Sequence, residues 1–171
     1  MWVVHFLSPF PTPLVAHQTL PCNPLSVIFS HMASFSAQVS DFTKRSKRAQ
    51  QMVMRTAVQK LTAAVEDETP EDTGNAFRSW LGSTTAMPPV RPDVAEFVDT
   101  GATEVAIMGL DAGDTFWFGA QAAYMARLNY GFTGTDSLGR TYNQAGKGWI
   151  EANAARWPQY VKEAESMFRV K

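Results

Sequence analysis

The chain reads as an α+β domain, and three observations carry that reading. Residues 33–69 contain neither Gly nor Pro and hold apolar residues at helical spacing. The last stretch repeats that spacing, with Ile150, Ala154, Trp157, Val161, Ala164 and Phe168 separated by alternating steps of four and three. Between them lie short alternating aromatic runs set apart by Gly- and Pro-containing turns, which suit strands.

At 171 residues the chain is long enough for one domain with a real core. Its formal charge of −1 gives no global attraction to nucleic acid. The lone Cys22 excludes an internal disulfide and fits a reducing cytoplasm.

Composition changes sharply at Met32. Residues 1–31 contain no Asp, Glu, Lys or Arg, yet they hold Cys22, all three histidines (His5, His17, His31) and five prolines: Pro9, Pro11, Pro13, Pro21 and Pro24. No basic n-region is present and prolines break the apolar run, so neither a signal peptide nor a membrane span is expected. Residues 1–31 are expected to be a non-native or disordered extension, and 32–171 the folded domain. An early start, or a scar at Ser30-His31-Met32, explains the extension. A Pro-rich docking arm is the functional alternative.

The first helix is expected from Ser36. Phe35, Val39 and Phe42 open its apolar stripe, and Val53, Ala57, Leu61 and Ala64 continue it. Glu66-Asp67-Glu68 and Pro70 end it, the acids opposing the helix dipole in the last turn. Roughly 30 residues at 1.5 Å rise make a rod of about 45 Å, more than one small core covers. One end should therefore lean on another subunit. Lys44, Arg45, Lys47 and Arg48 lie on its front half, either as a solvated face or as a contact for DNA or a partner.

Asp72-Thr73-Gly74 is a turn signal, with side-chain hydrogen bonding from Asp or Thr and a Gly free to take positive φ. Alternation after it predicts a strand over residues 76–85. An extended connector follows through Pro88, Pro89 and Pro92. Residues 93–110 suit either strand or buried helix. Asp111-Ala112-Gly113-Asp114 predicts a turn, and residues 115–120 a strand with Phe116 and Phe118 on one face and Trp117 on the other. A short helix over 122–129, with Tyr124 and Leu128 on one side, is stopped at Gly131. Residues 132–147 read as a long mobile loop. Pro158 should kink the last helix or split it in two.

No catalytic, cofactor or metal constellation emerges. Beyond Met32 the chain has no His and no Cys, which removes Ser-His-Asp, Cys-His and most zinc chemistry. Asp-Thr-Gly occurs twice, at Asp72-Thr73-Gly74 and Asp99-Thr100-Gly101, and the second resembles the turn of retroviral-type aspartic proteases. Those enzymes place two carboxylates side by side within an almost all-strand fold. Here helices flank the motifs, and Asp99-Thr100 serves equally as a helix cap. A dimeric aspartic protease is the alternative from another class.

The order of features carries a further resemblance. A long helix precedes Pro-Glu-Asp-Thr-Gly-Asn-Ala-x-Arg-x-x-Trp, anchored at Asp72, Thr73, Gly74, Arg78 and Trp80. Tyr-Met-Ala-Arg-Leu-Asn-Tyr-Gly follows, anchored at Tyr124, Ala126, Leu128, Tyr130 and Gly131. Over residues 33–170 this resembles the neck and tail-completion family of long-tailed bacteriophages. Asn129 stands where that family usually has Glu, and Ala122-Ala123 where Asn-x-Pro is common.

The resemblance implies a small antiparallel-type sheet packed by the long N-terminal helix and the C-terminal amphipathic helix. It implies helix over residues 103–110. It further implies a virion structural protein, not an enzyme and without cofactor, made in the host cytoplasm and placed at the head–tail junction. There it would form a homo-oligomeric ring, expected to be a hexamer. Head-closure or connector proteins would lie on one side and the tail terminator or tail tube on the other, with double-stranded DNA in the lumen. Arg140 and Lys147 of the 132–147 segment would offer weak phosphate contact there. A tail-terminator-like ring protein is the neighbouring alternative.

Overall fold

The long helix α1 runs over Leu25–Asp67 and organises everything that follows it. The computed structural model describes residues 25–168, with side chains described from Phe35 onward. The expectation placed on residues 1–24 lies outside the described residues. Helix α1 begins ahead of Met32 and passes through it without interruption.

Five further helices and four strands follow among the described residues, in an α+β arrangement. A four-residue helix α2 (Asn75–Arg78) leads into β1 (Trp80–Ser83). Helix α3 (Ala102–Gly109) precedes β2 (Trp117–Ala120), and α4 (Met125–Tyr130) precedes the pair β3 (Gly131–Thr135) and β4 (Thr141–Ala145). Helices α5 (Trp149–Ala155) and α6 (Trp157–Met167) close the chain.

Strands β1 and β2 pair antiparallel, from Trp80 opposite Ala120 to Ser83 opposite Trp117. Strands β3 and β4 form a separate antiparallel ribbon. The expected small antiparallel sheet is thus present as two two-stranded ribbons, and the second has no buried face that could join the first.

The core gathers where α1, α6 and the first ribbon meet. Val53, Ala57, Val58, Leu61 and Val65 of α1 are buried together with Phe116, Phe118, Tyr160 and Ala164. Ala57 and Ala164 are fully buried, and their small side chains suit a close approach of α1 and α6. The Lys60 ammonium donates to a Glu163 carboxylate oxygen at 2.6 Å across the same helices. Ion pairs as exposed as this one contribute little on their own. Phe116 and Phe118 are both buried, as their alternation with Trp117 predicts.

Five expectations need correction. The strand expected from residue 76 starts at Trp80, because the chain first makes one helical turn whose Arg78 amide bonds the Gly74 carbonyl. The segment 132–147, read as a mobile loop, is a hairpin. Thr133 faces Asn143, and its hydroxyl donates to the Asn143 amide oxygen at 3.3 Å. Sparse aliphatics hid it, since Phe132 and Tyr142 supply its apolar contact, with ring centroids 6.1 Å apart. Helix α3 is capped by Gly101, not by Asp99-Thr100; the Asp99 carboxylate instead accepts the Gly101 amide at 2.9 Å. The short helix begins at Met125 instead of 122. Tyr124 sits at its N-cap and is 39 % exposed, so it does not join Leu128 in the core.

Other expectations agree. Residues 102–109 are helix. The Asp111 turn forms, with the Asp114 amide bonding the Asp111 carbonyl at 3.1 Å. Pro158 lies in the first turn of α6, just past the break at Arg156, where its missing N–H costs nothing.

Candidate functional site

The two motifs that stand apart in sequence meet at one joint. Gly74 takes φ 76°, a conformation that Gly reaches without strain. A Cβ there would lie 2.8 Å from an Arg78 guanidinium nitrogen. That guanidinium donates to the Thr73 carbonyl at 3.2 Å and lies 3.7 Å from Glu96. The turn is thus held by Arg78 reaching back to its backbone. The Asp or Thr side-chain bond expected there is not what closes it.

Asn75, which sequence reasoning passed over, ties three segments together. Its Oδ1 accepts the Phe97 amide at 2.7 Å, and its Nδ2 donates to the Ala95 carbonyl at 3.2 Å and to the Tyr124 hydroxyl at 3.3 Å. Asp72, Thr73, Asn75, Tyr124 and Leu128 consequently line one shallow hollow on the surface. The only sequence signal for Asn75 is its place directly after the Asp-Thr-Gly turn.

Trp80 anchors the joint to the core. Its ring stacks on Phe118 with centroids 4.8 Å apart. Its indole Nε1 donates to the Thr69 hydroxyl at 2.9 Å, and that hydroxyl donates to the Val65 carbonyl at 2.7 Å. The end of α1 is thereby tied to β1.

The second motif closes on α5. Asn129 is buried, and its Nδ2 donates to both Glu151 carboxylate oxygens, at 3.1 and 2.8 Å. The Tyr130 hydroxyl donates to the same carboxylate at 2.7 Å. Burial raises the Glu151 pKa, but these hydrogen bonds outweigh it and hold the carboxyl below its ordinary value. Gly131 and Gly146 complete the corner. A Cβ on Gly146 would lie 2.3 Å from the Tyr130 carbonyl carbon, so only Gly allows the two backbones to pass.

The cationic residues divide into two groups. Lys44, Arg45, Lys47 and Arg48 are all exposed on α1, where Arg45 pairs with Asp41 at 3.2 Å. In the hairpin, the Arg140 guanidinium donates to Asp136 at 2.8 Å and lies 5.9 Å from the Tyr142 ring centre. The Arg140 amide and then its guanidinium hold the Asp136 carboxyl below the usual range. Arg140 thus stabilises the hairpin turn, and both it and Lys147, the two cations expected to meet phosphate, are exposed.

The acids of the two Asp-Thr-Gly turns do not share a hollow. Asp72 borders the one beside Tyr124, and Asp99 borders another beside Phe97 and Thr103. Among the described residues no group of three His, Cys, Asp or Glu is placed to hold a metal ion. No helix among them is long and apolar enough to cross a membrane. An acidic cluster does exist at the end of α1. Burial first, then the charges of Glu104, Asp99 and Asp67, push the Glu66 carboxyl up to about 7.

No family model, no curated protein and no solved structure matches the chain.

Proposed function

We propose that the chain is a structural subunit of a tailed virion, forming a ring around the DNA channel at the head–tail junction. The observation that supports this best is the joint itself. The two motifs that carry the resemblance to neck and tail-completion proteins bond to each other through Asn75 and Tyr124. They spend their polar groups on backbone geometry. Arg78, Asn75, Trp80, Asn129 and Glu151 all close turns or tie helices, which is the work of a scaffold.

On this reading a head-closure or connector protein meets one side of the ring and the tail terminator or tail tube meets the other. Six copies match the symmetry of the tail they join. Double-stranded DNA passes through the lumen without sequence readout, which phosphate contacts alone permit. The subunit is made in the host cytoplasm and ends in the virion.

The test is localisation. Gold-labelled antibodies against the chain should mark the junction between head and tail in tailed particles that carry its gene. Label on the tail tip or the capsid shell, or particles free of the chain, would overturn the reading. An acid-pH peptidase assay on the purified chain separates the protease alternative. Cleavage lost on Asp99→Asn would replace the scaffold by an enzyme.

A further inference from the structure

We propose that the front half of α1 is a docking arm for a second copy of this chain, and that its seat is the outer face of α3. This deepens the ring reading by naming the contact that would link its subunits.

The arm is unmistakable in its exposure. Phe35 is 67 % exposed, Val39 46 % and Phe42 57 %, at positions that share one helical face. The first buried side chain of α1 among those described is Val53. A run of large apolar side chains left in water marks a surface made to be covered. Directly behind it come Lys44, Arg45, Lys47 and Arg48, against the single acid Asp41.

The seat has the complementary make-up. Val105 and Met108 on α3 are 68 % and 65 % exposed, and Val98 on the approach to it is 74 % exposed. Glu104 is exposed on the same short helix, and it and Asp99 lie close enough to Glu66 to raise its pKa. An apolar stripe bordered by cations thus has, on the same molecule, an apolar patch bordered by carboxylates.

The arm cannot reach its own seat. The Arg55 Nε donates to the Leu110 carbonyl at 2.9 Å, and Gln51 bonds Asp111, so the end of α3 lies level with residues 51–55 of α1. Phe42 stands at least nine residues further on, which at 1.5 Å per residue is about 14 Å past that level. An unbroken helix does not fold back, so the contact must be made between copies.

Pairing of two arms is the poorer solution. Side by side in parallel, the cationic runs face each other. Antiparallel, they face residues 25–34, which contain no Asp or Glu. Arm on seat is a heterologous contact that leaves the pair one free arm and one free seat, and such contacts propagate until a ring closes.

The experiment uses the full chain, with ordinary and ¹⁵N-labelled protein mixed in equal amounts at low salt. A carbodiimide then couples touching amines and carboxylates without a spacer. Mixed-label peptides should join Lys44 or Lys47 to Glu104, Asp99 or Glu66. Phe42→Asp should abolish them, and raising salt should weaken them, since exposed charges are screened. In sedimentation, Lys47→Glu and Glu104→Lys should each weaken association about tenfold, and the two together should restore it. All three positions are exposed, so the variants should keep the wild-type circular dichroism.

A chain that yields no mixed-label links at any concentration overturns the inference. So do links confined to arm and arm, or a monomer that instead retards duplex DNA through Lys44 and Lys47. Arm-to-seat links within open-ended chains would keep this contact and sink the ring. A closed ring without them would keep the ring and sink this contact.

Discussion

Trp80 ties β1 to Phe118 of β2 and, through the Thr69 hydroxyl, to the end of α1. Trp80→Ala should cost about 3–5 kcal/mol, as large core deletions do. Trp80→Phe keeps the stack and loses the indole hydrogen bond, so it should cost about 1–2 kcal/mol. Urea titration of both variants checks the order, and equal losses would mean that stacking contributes nothing.

Glu66 gives a pH signature at the same scale. Its folded pKa of about 7 lies above the ordinary 4.5, so the folded state holds the proton more tightly. Stability is then greatest below the ordinary value and falls as pH rises towards the folded one. Glu66→Gln should match the wild type near pH 4 and exceed it by roughly 1–3 kcal/mol at pH 8. A variant less stable than wild type at pH 8 would show that the carboxylate is paired, not strained.

At the scale of elements, the β3–β4 hairpin is the part most separable from the core. Its strands leave most side chains exposed, and its turn is held internally by Asp136, whose carboxylate accepts the Leu138 and Arg140 amides at 2.9 Å each. Thr133 and Asn143 are cross-strand partners, so an Asn-Gly dipeptide replacing residues 134–142 closes a two-residue turn. The shortened chain should keep its melting temperature within about 4 °C. On the proposed ring reading it should also give fewer joined, infectious particles. Infectivity that holds would confine the hairpin to a passive role.

At the scale of the whole molecule, the described core packs on the later part of α1, from Val53 to Val65. Among the described side chains of α1 none before Val53 is buried. A chain starting at Met32 should melt within about 2 °C of the full one by calorimetry. A drop of several degrees would place the leading residues against the body. Removing residues 1–48 should likewise spare the fold while ending self-association, which gel filtration at low salt reads directly.

The sequence by itself determined the long helices and their apolar stripes, because helical periodicity is a local property that survives without any partner. It also placed the Asp72-Thr73-Gly74 turn and the break before Pro158, since Gly and Pro act on their own backbone. Only the tertiary structure decided what each polar side chain does. Asn75 became a three-way tie because Phe97, Ala95 and Tyr124 arrive beside it from distant segments. Arg140 braces the hairpin turn because the Asp136 carboxylate folds back onto it. The hairpin was illegible because its strands are solvated on both faces, and without a buried face there is no alternation of apolar and polar residues to read.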